Sequence, residues 1–245
     1  MSHYDRNYAQ VRTGARTDGA EIDAGLRSYM LSVYNLMALG VAVTAIITLF
    51  MANNPALMQV VAVGPMKWVL FAGVLGMGFF AHKLIFSGSK ALAHAAYWTY
   101  AGLWGLLISP MVAFYMGKDP GIVVQALGIT SVTFGATSLY GYVTKRDLSV
   151  FSTFFVMASI GLLLAIVVNI FLQSTLFSLI TSFAVVLLFA GITAWETQSI
   201  KEMYFAGDDE ATARSKGIFG AFLLYGSFVT MFIHILNILG IMRSE

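Results

Sequence analysis

The chain has 245 residues, of which 58% are apolar and only 11% are Asp, Glu, Lys or Arg, with a formal net charge of +2. A soluble domain carries roughly 25% charged residues, so this chain lacks the charge to clothe a water-facing surface, and its balance leaves no basic patch for nucleic acid. There is no Cys, which excludes disulfide frameworks, thiolate catalysis and Cys-ligated zinc or iron–sulfur sites.

The first 28 residues hold four Arg, four acidic residues and no apolar run. Such a segment has nothing to bury, which predicts a flexible, solvated tail over 1–28. The apolar stretch that follows begins too late and runs too long for a secretory signal, and is read as a retained span. Seven apolar segments then recur: Tyr29–Met51, Met66–Phe86, Ala91–Tyr115, Gly121–Val143, Leu148–Phe171, Leu176–Glu196 and Gly217–Ile241. Each is long enough to cross a hydrocarbon layer about 30 Å thick, and none alternates as a membrane β-strand does. The prediction is an all-α membrane protein, with seven transmembrane helices filling 29–245.

Turn chemistry marks the joints. Asn53-Asn54-Pro55 breaks the chain after the first span. Asp119-Pro120 supplies an N-cap and a first helical residue for the fourth span, and Asp147 is placed to cap the fifth. Ala52–Gly64 and Thr197–Lys216 are the long connectors. Glycines on the spans (Gly73, Gly76, Gly102, Gly105, Gly135 and Gly141) suit close helix approach.

Lys and Arg decide the orientation. With the N-terminus in the cytoplasm, the inner segments carry Arg6, Arg12, Arg16, Arg27, Lys83, Lys90, Lys145, Arg146, Lys201, Arg214 and Lys216, and the outer ones carry Lys67, Lys118 and Arg243. Eleven against three follows the positive-inside rule. It places the C-terminus across the membrane from the cytoplasm.

Polar groups at membrane depth are costly and tend to face partners or water. Of the twelve acidic residues, only Glu196 falls on a continuous apolar segment. Placed at the end of the sixth span, it reads either as a Glu reaching to the interface or as a functional carboxylate. A carboxylate at a helix C-terminus faces the negative end of the helix dipole, which counts against a free choice of Glu there. On the last span Ser227, Thr230, His234 and Asn237 share one helical face. They form either a hydrogen-bonded seam between helices or a wall of a polar path. Thr130, Thr133 and Thr137 form a similar row on the fourth span. Asn35, Asn169 and Gln173 are isolated amides.

Enzyme chemistry finds no footing. The chain lacks a His-Glu-x-x-His zinc helix and a Gly-x-Ser-x-Gly elbow. His234 lies about 10 Å along the helix from Ser227, too far to serve it as a base. A retinal pigment would need a Lys within the last span, and Lys216 precedes it. The chain is expected not to be an enzyme.

Five segments carry a resemblance. They are Gly25-Leu26-Arg27-Ser28-Tyr29-Met30 with Val33-Tyr34-Asn35; Ser138-Leu139-Tyr140-Gly141-Tyr142-Val143-Thr144-Lys145-Arg146-Asp147-Leu148-Ser149; Asn169-Ile170-Phe171-Leu172-Gln173; Glu196-Thr197-Gln198-Ser199-Ile200-Lys201; and Asn237-Ile238-Leu239-Gly240-Ile241. In content and order they resemble the Bax inhibitor-1 (TMBIM) family of multi-pass membrane proteins, in its bacterial form. The resemblance implies a seven-helix fold with a central last helix, and a low-flux, pH-influenced leak of calcium or another cation. In some bacterial members the proposed sensor is a pair of Asp residues. Glu196 falls at the first of these positions and Ser227 at the second, so the second carboxylate is missing. A Glu/Ser arrangement is more similar to the branch that modulates the membrane AAA protease FtsH, which stands as the alternative function.

By this reading Glu196, Ser227, Thr230 and His234 line the ion path or sense pH. No cofactor is expected beyond calcium held weakly at Glu196, because calcium prefers six to eight oxygen ligands and these side chains supply few. The expected surroundings are the lipid bilayer and, in the alternative, the FtsH complex.

Overall fold

The computed structural model describes residues 3–243. Met1, Ser2, Ser244 and Glu245 lie outside the described residues, as do the side chains before Ala24 and that of Val63; the first span already includes residues 24–28 of the expected tail, and Leu26 packs on the core. The elements are α1 (His3–Ala52), α2 (Pro55–Val63), α3 (Met66–Ile85), α4 (Lys90–Lys118), α5 (Pro120–Val143), a 3-10 turn (Ser149–Phe151), α6 (Ser152–Leu172), α7 (Thr175–Met203) and α8 (Glu210–Met242). No strand occurs among the described residues. Seven of the helices are long and apolar enough to cross a membrane, the first over Ala24–Ala52. This is the predicted all-α membrane fold.

Local chemistry sets the helix ends. Asn53 and Asn54 turn back to donate to the carbonyls of Leu49 (2.8 Å) and Phe50 (2.6 Å), closing α1 before Pro55 opens α2. Asp119 caps α5 through the Gly121 N–H (2.8 Å), with Pro120 at the first position. Asp147 accepts the Ser149 N–H (2.8 Å) and so starts the 3-10 turn ahead of α6. Gln173 ends α6 in the left-handed conformation (φ 51°).

Two connectors are shorter than the hydropathy predicts. Ala52–Gly64 contains α2, and Thr197–Lys216 shrinks to Tyr204–Asp209 because α7 and α8 continue beyond their apolar stretches. Asp209 caps the extended α8 through the N–H groups of Ala211 and Thr212, both at 2.9 Å. Lys216 therefore lies inside α8, not ahead of it, and pairs with Asp208 (2.5 Å).

The last helix is the core. In the apolar window of α8, 67% of residues are buried, against none in that of α6. α1, α3, α4, α5 and α7 all pack on α8, whereas α6 lies outside, against α7. Leu224, Tyr225, Met231 and Leu236 of α8 are completely enclosed, as is Tyr97 of α4 beside it. Where α5 crosses α7, a Cβ on Gly141 would overlap the Ala194 carbonyl oxygen, so only glycine permits this approach. Successive spans run up and down. One end, termed the basic end, carries Arg27, Lys83, Lys90, Lys145, Arg146, Lys201, Arg214 and Lys216, and the opposite end carries Lys67, Lys118 and Arg243.

Candidate functional site

Glu196 does not end its helix. α7 continues to Met203, seven residues or about 10 Å farther, and Glu196 is only 8% exposed. The interfacial reading is thus corrected, and with it the argument from a helix C-terminus. The polar residues after Glu196 look like the start of a loop, but their side chains serve contacts with α5 and the loop after it.

Across from Glu196, on α8, Ser227 donates a 2.7 Å hydrogen bond to Oε2 and is itself 2% exposed. Glu196 is the one acidic side chain buried among the described residues. An ionised carboxylate has room for about four donors. Ser227 is its only hydrogen-bond donor among the described residues, and Oε1 is left uncommitted. Tyr100 of α4 closes one side, its hydroxyl about 3.0 Å from where a Cβ on Gly226 would lie.

The rest of the α8 face turns to α7 but does not converge on Glu196. Thr230 donates to the Gly226 carbonyl of its own helix (2.8 Å). His234 Nδ1 meets Ser182 Oγ at 3.1 Å, and Asn237 donates to Ser178 (2.8 Å) and Ser182 (2.9 Å). His234 and Asn237 thus form a hydrogen-bonded seam with Ser178 and Ser182 of α7. Thr230 and His234 also line a cleft of about 400 Å³, whose other sides are Val74 of α3, Leu107 of α4, Ile166 of α6 and Phe189 of α7. The row on α5 has no such role: Thr130 and Thr137 return their hydroxyls to Ala126 and Thr133 carbonyls.

Sequence reading missed Ser178 and Ser182, whose only signal is helical spacing opposite His234 and Asn237. It also missed how three of its quoted segments meet. Tyr34 Oη lies 2.6 Å from Ser138 Oγ, which lies 2.9 Å from Thr197 Oγ1. Gln198 accepts the Leu148 N–H (2.7 Å) and donates to the Arg146 carbonyl (2.9 Å). Lys201 donates to the Tyr142 carbonyl (2.9 Å). The 138–149 segment and the 196–201 segment are therefore two halves of one contact, which fixes the stretch of α7 that carries Glu196.

Among the described residues no three His, Cys, Asp or Glu side chains come together in a metal-binding group. One carboxylate and the Ser227 hydroxyl fall well short of the six to eight oxygen ligands that calcium prefers.

A family model described as "Inhibitor of apoptosis-promoting Bax1" matches residues 26–244. The chain is 34% identical over 222 residues to a protein of Rickettsia prowazekii, covering 91% of this chain and 93% of that one. It is 37% identical over 215 residues to a Deinococcus radiodurans protein, covering 87% and 90%. It is 33% identical over 220 residues to the inner membrane protein YbhL of Escherichia coli K12, covering 89% and 93%.

Proposed function

The chain belongs to the Bax inhibitor-1 family, as a multi-pass protein of the bacterial inner membrane, and on that footing we propose that it passes calcium or another cation at low flux along α8. The observation that carries this reading is Glu196: a buried carboxylate with one protein donor and an oxygen left over. Burying such a charge is expensive unless it is paired, and a passing cation with its water supplies the pair. Farther along α8, Thr230 and His234 are polar side chains in an otherwise largely apolar cleft, and an ion that continued past them would keep its own water. Calcium is held weakly at Glu196, and the protein performs no catalysis. The test is calcium flux into liposomes holding the purified protein. Glu196→Gln keeps the shape and the Ser227 contact but removes the charge; flux should fall at least tenfold. Unchanged flux overturns the reading.

A second reading has its own support. α8 is so closely surrounded that Glu196 and Ser227 also make sense as a structural pair, and the 1–28 tail has the composition of a binding segment. The protein would then modulate FtsH without transport. Deleting Ser2–Asp23 should leave membrane yield intact and abolish co-purification with FtsH; retained co-purification argues against the tail.

A further inference from the structure

α1 and α5 both pack on α8 without closing on each other. Toward the basic end the seam between them is a groove of about 530 Å³, walled by Leu31 of α1 and by Phe134 and Leu139 of α5. Farther along the same seam lies a hollow of about 220 Å³ between Ala45 and Leu49 of α1 and Leu127 of α5, floored by Phe232 of α8. An apolar seam at membrane depth is filled by what surrounds it, which is acyl chain and not water.

The mouth differs in kind. Arg27 lines it, is exposed, and has no ion pair or hydrogen bond among the described residues. Lys201 brings a second cation to the same end, 5.3 Å from the centre of the Tyr142 ring that also lines the groove. No acidic side chain lines either hollow. A guanidinium at headgroup depth binds phosphate oxygens in a fork, and an apolar groove below it receives the attached chain. Free phosphate would use only the mouth.

We infer that the α1/α5 seam is a binding site for one anionic phospholipid, its phosphate on Arg27 and an acyl chain along Leu31, Phe134 and Leu139. The Tyr34–Ser138 hydrogen bond bridges the two helices at this groove, and Ser138 continues to Thr197, next to Glu196. The lipid thus sits at the outer end of the contact that fixes the proposed site.

Two substitutions separate head from tail. Arg27→Gln removes the exposed charge. Gly135→Leu adds bulk to the groove from a position where a Cβ meets nothing within 4 Å, and a thermal melt checks that the variant is folded. Binding to the purified protein in detergent is measured by native mass spectrometry for dioctanoyl phosphatidylglycerol, dioctanoyl phosphatidylcholine and inorganic phosphate. The wild type should bind the glycerol lipid roughly fivefold to tenfold more tightly than the choline lipid. Arg27→Gln should erase that preference, Gly135→Leu should weaken both lipids, and phosphate alone should not bind. Equal binding of the two lipids by the wild type, a preference that survives Arg27→Gln, lipid binding unchanged in Gly135→Leu, or phosphate binding as tightly as the lipid would each overturn the assignment.

Discussion

A carboxylate set between α7 and α8 is tolerable because Ser227 answers it, so the two residues are coupled in stability as well as in any transport. Ser227→Ala removes the one donor and leaves Glu196 unpaired, which should cost about 1–3 kcal/mol. Adding Glu196→Gln should recover part of that loss, since the unpaired group is then neutral; thermal melts of the two variants and the double variant check this. Additive losses would mean that the pair carries no coupling. Ser227→Asp tests geometry from the other side. A second carboxylate at hydrogen-bond distance cannot share the site with a charged Glu196 unless one proton sits between them. Flux should become more steeply pH-dependent in Ser227→Asp than in the wild type and lose that gain when Glu196→Gln is added. Glu196 and Ser227 were legible in the sequence as polar residues on apolar spans, but their contact was not: it depends on where α7 ends and how α8 is rotated. Ser178 and Ser182 were invisible for the same reason, because a serine on an apolar helix gains meaning only from what lies across it.

Helix ends and crossings are where apolar runs stop being informative. Hydropathy located every span, yet it placed the end of α7 seven residues early and the start of α8 seven residues late, since Thr197, Gln198 and Lys201 look like loop until their partners on the 138–148 stretch are known. Close approach is similarly hidden. Gly141 and Gly128 are both helical glycines of α5, but a Cβ would overlap the Ala194 backbone at the first and meets nothing within 4 Å at the second. Gly141→Ala should therefore cost about 1–3 kcal/mol of stability through overpacking and lower the melting temperature, while Gly128→Ala should leave it unchanged or raise it. The cap of α8 gives a pH prediction. Donation from the Thr212 N–H, then from its hydroxyl, with help from the Ala211 N–H, holds the Asp209 carboxyl below the usual carboxylate range. A group depressed on folding contributes stability above its unfolded value of about 3.9 and loses it as pH falls through the folded one. Asp209→Ala should melt below the wild type near neutral pH, and the gap should close in acid.

At the scale of the molecule, the distribution of charge between the two ends makes a statement about the membrane. Eight Lys and Arg side chains stand at the basic end and three at the other, and Arg6, Arg12 and Arg16 belong to the segment that leads into α1. Short basic loops are retained on the cytoplasmic side, so the basic end should face the cytoplasm and the end of α8 the periplasm. The three cations of the opposite end weigh little against this. Arg243 pairs with Asp119 and donates to Gln125 (2.7 Å), tying the end of α8 to the start of α5, and Lys118 rests 4.5 Å from the centre of the Phe114 ring. The seven spans and the central last helix followed from hydropathy and family resemblance because seven is the count that keeps basic loops on one side; an eighth crossing by α2 is excluded by its nine residues, too short for the bilayer. Reporter fusions within the Tyr204–Asp209 loop and after Glu245 should therefore report opposite compartments, cytoplasmic for the loop and periplasmic for the terminus. The same arrangement places Arg27 and the mouth of the α1/α5 seam at the inner leaflet, and Glu196 toward the cytoplasmic half of the bundle. If both fusions report the cytoplasm, the number of crossings is even, and the alternation that puts Arg27, Lys201 and Lys216 at one end is wrong.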